Sequence, residues 1–135
     1  MSETTKILTK HLEGSALDWA VAKCEYPEQP INTKLGFPYL GFGRFNPSSN
    51  WAHGGPIMAR EIDSYDKSGD TFQAVKLDAE GNYSMFDHIG HDGFGPSPLV
   101  AAMRCYVAFK MGPEVEVPNE LLDIPKSKST MGVSP

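Results

Sequence analysis

The chain has 135 residues, enough for one domain with a real core and too few for a two-domain cofactor enzyme. Its 12 Lys and Arg against 17 Asp and Glu leave a net charge of −5, which argues against generic nucleic-acid binding, because phosphate backbones need a basic face. No run approaches the roughly 18 apolar residues of a membrane span, and the first residues lack the apolar stretch of a signal peptide.

Residues 1–13 read as an N-terminal arm or first strand, with Ile7 and Leu8 as its apolar pair. A helix then opens at Gly14-Ser15. Leu17, Ala20, Val21 and Cys24 fall at i, i+3, i+4 and i+7 on one face. Ser15 is the expected N-cap, and Asp18 favours the positive helix end. Pro27 and Pro30 close the helix. Trp19 falls opposite the stripe, either covered by the following segment or open to a partner.

Residues 26–50 are rich in Pro, Gly and aromatics, and short strands with sharp bends are expected. The run from Phe37 to Phe45 forms a small core or a docking surface. Gly54-Gly55-Pro56 is read as the start of a second helix, with Ile57, Met58 and Ile62 inward and its end over residues 64–69. A hairpin is expected from residues 71–77 and 82–86 around a turn at 78–81. Residues 87–96 read as a loop. Ser97 and Pro98 then begin the strongest helix as N-cap and first residue. Leu99, Ala102, Met103, Tyr106 and Val107 form its core stripe, and the small Ala101, Cys105 and Ala108 behind it predict a central position. Gly112 ends it. Val115 and Val117 suit an edge strand, and residues 124–135 form a patternless tail.

One globular domain over residues 14–123 follows. Its class is α/β (α+β): a small sandwich with a short, mostly antiparallel sheet and about three helices packed on it. Cys24 and Cys105 lie inside helical patterns and read as buried free thiols.

Three segments together resemble one family. They are Leu12-Glu13-Gly14-Ser15-Ala16-Leu17-Asp18-Trp19, then Ser49-Asn50-Trp51-Ala52-His53-Gly54-Gly55-Pro56, and Gly95-Pro96-Ser97-Pro98-Leu99-Val100-Ala101-Ala102. In this order and spacing they are similar to the NinX-like family of small bacteriophage proteins, over roughly residues 7–122. Residues 26–47 are longer and more aromatic than the family pattern. The resemblance implies a phage accessory protein of unknown function acting in the host cytoplasm, related to small phage α-β-α sandwich domains. It brings no catalytic residues.

The residues themselves suggest a ligand. Gly54-Gly55 and Gly95-Pro96-Ser97 are both read at helix starts, where free N–H groups and the helix dipole attract anions. Ser48, Ser49 and Ser97 add hydroxyls and Asn50 an amide, and Trp51, His53 and Phe94 offer rings for stacking. Ordinary helix capping explains the same Gly, Pro and Ser residues. Arg104 is the one cation in an apolar stretch, either paired with Asp18 or Glu61 or gripping an anion. His88, His91 and Asp92 are the weak metal candidates, because His-x-x-His in a glycine-rich loop lacks the rigid helical face of a zinc site.

No constellation meets the geometric roles of catalysis, so the reading leans away from an enzyme and calls for no cofactor. The expected role is non-enzymatic: counter-defence by sequestering a small anionic, nucleotide-type signal. The alternative is a protein–protein inhibitor of a host defence or nucleic-acid enzyme, and a metal-dependent phosphoesterase comes third. If the chain self-associates, a homodimer is the expected form.

Overall fold

The computed structural model describes residues 3–84, 87 and 89–122. The predicted tail at 124–135 lies outside the described residues. β1 (Thr4–Leu8) leads through a 3-10 turn (Thr9–His11) into α1 (Gly14–Glu25). A two-residue pair, β2 (Tyr39–Leu40) and β3 (Gly43–Arg44), precedes α2 (Trp51–Glu61). β4 (Ser64–Ser68), β5 (Thr71–Lys76) and β6 (His91–Gly95) follow, then α3 (Pro98–Met111) and β7 (Glu114–Pro118). This is a small mixed α+β domain, as the sequence predicts, with three α-helices among the described residues, where every strand pair is antiparallel. The described strands form three small sheets: β1 with β7, β2 with β3, and β4-β5-β6.

α3 is the centre of the molecule. Ala101, Ala102, Met103, Cys105, Tyr106 and Val107 are all buried, and α1, α2, β5 and β6 pack around them. Its ends match the sequence reading. Ser97 Oγ accepts from Val100 N at 3.2 Å, Pro98 takes the first turn, and Gly112 ends the helix at φ +92°. Leu17, Ala20 and Val21 of α1 pack inward as the stripe predicts, and Trp19 is half-buried.

Five local expectations are corrected. The N-cap of α1 is Glu13, with Ser15 already inside the helix. α2 begins at Trp51 rather than Gly54, because Asn50 caps it: its side chain accepts from Ala52 N at 2.9 Å. Gly54 is an interior residue whose missing Cβ matters. An added Cβ would lie 2.3 Å from Pro47 O and 2.7 Å from Leu99 Cδ2, so glycine lets α2 lie against α3.

Residues 64–68 form a strand and not a helix end. β4 pairs with β5 from Ser64↔Val75 to Ser68↔Thr71, across a two-residue Gly69-Asp70 turn with Gly69 at φ +62°. The turn at 78–81 is present, with Gly81 N donating to Asp78 O at 3.0 Å. Of the returning strand expected at 82–86, residues 82–84 form no strand beyond a single bridge from Ser84 to Ile89, and Met85 and Phe86 lie outside the described residues. The returning strand is β6, within the segment read as a loop. Its glycines hid it. A Cβ on Gly93 would come 2.4 Å from Ala101 O and from Cys105 N, and one on Gly95 would come 2.7 Å from Val100 Cγ1. Glycine is therefore what allows β6 to lie flat on α3.

Residues 26–50 do form short bent strand pieces. Leu40 and Phe45 are buried while Phe42 and Leu35 are exposed, so the aromatic run divides between core and surface. Among the described residues no helix is long and apolar enough to cross a membrane.

Candidate functional site

Side-chain alternation on β6 sets up the first site. Gly93 and Gly95 face α3, so Phe94 faces away from it. Phe94 lines a hollow of about 470 Å³ with Lys10, His11, Asp70, Thr71 and Arg104. Lys10 and His11 arrive from the turn after β1, which is pinned where Thr9 N donates to Pro113 O at 2.8 Å and Thr9 Oγ1 to Gly112 O at 2.6 Å. Asp70 comes from the β4–β5 turn and Thr71 from the first position of β5.

Arg104 reaches this hollow from α3. Its Nε donates to Leu12 O and its Nη1 to Phe94 O, both at 2.7 Å. Both acceptors are neutral carbonyls. The ion pairs among the described residues involve Lys6, Arg60 and Lys76, and none includes Arg104. The expected partners are engaged elsewhere. Asp18 accepts from Ser48 N at 2.8 Å, and Glu61 is bonded by Arg60 and Lys76. Burial lowers the Arg104 pKa from its usual value, with the Glu13 charge opposing. A guanidinium nonetheless stays protonated in a protein, so Arg104 carries a half-buried positive charge fixed in place without a carboxylate against it.

A second hollow of about 330 Å³ lies between the end of α1 and the start of α2. Its walls are Tyr26, Phe42, Phe45 and His53, with Glu25 and Arg60 at the rim. The rings pack at centroid distances from 5.2 Å for Phe45–His53 to 6.1 Å for Phe42–His53. Arg60 is bonded to Glu25 and Glu61, and Tyr106 Oη donates to Glu25 Oε2 at 2.5 Å. A larger hollow, about 1060 Å³, opens between β1, the start of α1 and Leu122, the last described residue. It mixes Ile7, Leu8 and Leu12 with Lys6, Glu13 and Glu120.

The predicted ligand set is therefore divided. Phe94, Gly95 and Arg104 share the first hollow, and His53 lines the second. Ser49, Asn50, Trp51, Gly54, Gly55 and Ser97 line neither. The side chains of Asn50 and Ser97 are occupied in capping, and Gly54 N donates to Asn50 O at 2.8 Å within the helix. Trp51 is 58% exposed. Lys10, His11 and Thr71 were missed. The adjacent basic pair Lys10-His11 was the available signal.

His88 lies outside the described residues. His91 and Asp92 are neighbours on a strand and project to opposite faces. His91 lies edge-on to Phe109 at 5.3 Å, and Asp92 accepts from Tyr83 Oη. Among the described residues no group of three or more His, Cys, Asp or Glu is placed to hold a metal. Both cysteines are free thiols, as expected, but only Cys105 is fully buried and Cys24 is half-buried; burial pushes the pKa of each up to about 12. At neutral pH they are thiols rather than thiolates, which makes them poor nucleophiles.

Comparison with known proteins adds one finding. The family model described as "Bacteriophage P22, NinX" matches residues 9–110. That range runs from the turn carrying Lys10 to the end of α3, and it includes residues 26–47. No curated protein matches the chain.

Proposed function

This chain belongs to the bacteriophage NinX family, and on that premise we propose that it binds a small anionic, nucleotide-type molecule in the hollow of Lys10, His11, Phe94 and Arg104. One observation carries the reading: Arg104 is half-buried, fixed by two carbonyls and not paired with a carboxylate among the described residues. A charge of this kind attracts an anion in surroundings that screen it less than open water does. Lys10 adds a second cation and Thr71 a hydroxyl, while the Asp70 carboxylate on the same rim favours ligands that keep their charge at the Arg104 side. Phe94, 42% exposed, offers a ring face beside the charge. In an infected host cell, holding such a molecule away from its receptor is the counter-defence role this reading assigns.

A thermal-shift screen against inorganic phosphate and linear and cyclic nucleotides tests it. A ligand at a hundredfold over its Kd stabilises by about 2.7 kcal/mol. A shift in the native protein that disappears in Arg104→Gln and persists in Trp51→Ala supports the site. No shift with any anion, or an equal shift in Arg104→Gln, overturns it. A second reading, obstruction of a host protein, draws on the exposed side chains of Leu35, Tyr39 and Trp51. It predicts capture of a protein partner that is lost in Trp51→Ala.

A further inference from the structure

The second hollow has chemistry of its own, and it stands apart from the anion hollow. Its aromatic walls come from three separate segments: Tyr26 after α1, Phe42 and Phe45 at the β2–β3 hairpin, and His53 in the first turn of α2. Phe45 is buried beneath the others, whereas Phe42 is 57% exposed and leaves a ring face open.

Two polar groups give the hollow an orientation. His53 Nδ1 accepts from Asn46 N at 3.1 Å. That bond assigns the proton of the neutral ring to Nε2, so His53 presents a donor. Glu25 supplies the acceptor. Tyr106 and Arg60 both bond its Oε2, and no described residue donates to Oε1. The charges here balance as a set, Arg60 and Lys76 against Glu25 and Glu61. Neither a free anion nor a free cation therefore finds a surplus of opposite charge here. A flat, neutral ring that stacks and also carries a donor beside an acceptor matches every one of these features.

We propose that the hollow of Tyr26, Phe42 and His53 is a binding site for an aminated heteroaromatic ring of the adenine or cytosine type. The ring stacks on Phe42, donates from its exocyclic amine to Glu25 Oε1 and accepts at a ring nitrogen from His53 Nε2. A volume of about 330 Å³ suits one such ring with its sugar left outside. The site needs no phosphate, so it is separable from the hollow at Arg104.

Titration with adenosine and cytidine, followed calorimetrically, tests the assignment without any anionic group. At least one of the two is expected to bind. Adenosine with its exocyclic amine dimethylated is expected to bind at least about tenfold more weakly, and Phe42→Ala to weaken adenosine or cytidine by about tenfold through the loss of one stacking face. Phe42 is exposed, so the variant keeps the fold, and an unchanged melting temperature confirms that. Arg104→Gln is expected to leave nucleoside binding unaltered, which separates this result from the fate of the anion hollow. Absence of binding by both nucleosides, equal binding of the dimethylated compound, or full affinity in Phe42→Ala overturns the proposal.

Discussion

Arg60 and Arg104 bring the same charge to two hollows and meet opposite surroundings. Arg60 lies between two carboxylates, Glu25 and Glu61, and those hydrogen bonds raise its pKa. Arg104 is held as firmly, but by the carbonyls of Leu12 and Phe94, and burial lowers its pKa. Carboxylates cancel a charge, whereas carbonyls only orient it. The same division separates two acids. Glu25 has Arg60 and Tyr106, while buried Asp18 has the Ser48 backbone N–H. The desolvated Asp18 carboxyl is accordingly pushed up to about 6, against the pull of Ser48 and the more distant Arg44. A side chain's charge is available for function where the fold satisfies its hydrogen bonds with neutral groups.

The sharpest way to break this comparison is to exchange the two arginines' fates. Arg104→Gln removes the uncancelled charge and is expected to weaken binding of a nucleotide anion by about 2–5 kcal/mol, the usual loss for truncating a desolvated charge contact. Arg60→Gln is expected to leave that affinity unchanged. Calorimetric titration of both variants checks it, and equal losses would contradict the distinction.

Asp18 gives the next largest effect. Its folded pKa of about 6 stands above the usual 3.8. A raised carboxyl contributes stability that is fully present below the unfolded value and lost as pH rises through the folded one. At about 1.4 kcal/mol per pH unit the difference is about 3 kcal/mol. Asp18→Asn keeps an acceptor for Ser48 N and cannot ionise. Its stability relative to the native protein is therefore expected to be greatest above pH 7 and to decline as pH falls from 6 toward 4. Denaturant melts across that range read the trend, and a flat difference would refute it.

Gly93→Ala probes how Arg104 is presented. The added Cβ meets the backbone of Ala101 and Cys105, which cannot give way. A loss of about 1–3 kcal/mol is expected from such overpacking, measured as a lower unfolding midpoint. Gly41→Ala, with open space around its Cβ, is the matched control.

The smallest effect belongs to Lys10. Its exposed charge is expected to add about 0.2–1 kcal/mol to anion binding, and Lys10→Ala should lose that increment most clearly at low salt. A loss as large as that of Arg104→Gln would put the principal charge in the wrong place.

Much of the fold was readable in the residues, and the reasons differ by element. α3 announces itself because its cap, its proline, its stripe and its terminal glycine are all local signals. β4 gives no such signal. All five of its residues are exposed, so no apolar alternation marks it, although the Gly69-Asp70 pair after it was a legible hairpin turn. β6 was concealed because two of the features that make it a poor strand on paper, Gly93 and Gly95, are what α3 requires of it.

The candidate site was legible only in part. Of the residues the sequence singled out for a ligand, Phe94, Gly95 and Arg104 line one hollow. Lys10 and His11 join them only through the β1–β7 pairing and the bonds from Thr9 to residues 112 and 113. The partners of Arg104 are main-chain oxygens, which every residue has, so side-chain types pointed to Asp18 and Glu61 instead.

The most direct test of the uncancelled charge at Arg104 is a titration of the isotope-labelled protein with a nucleoside monophosphate and with inorganic phosphate, followed by nuclear magnetic resonance. Saturable shifts are expected at Lys10, His11, Thr71, Phe94 and Gly95 and at the Arg104 side-chain N–H signals, with little change around Arg60. Shifts that do not saturate, or that gather at Asn50, Trp51 and Gly54 while Arg104 stays still, would contradict the account.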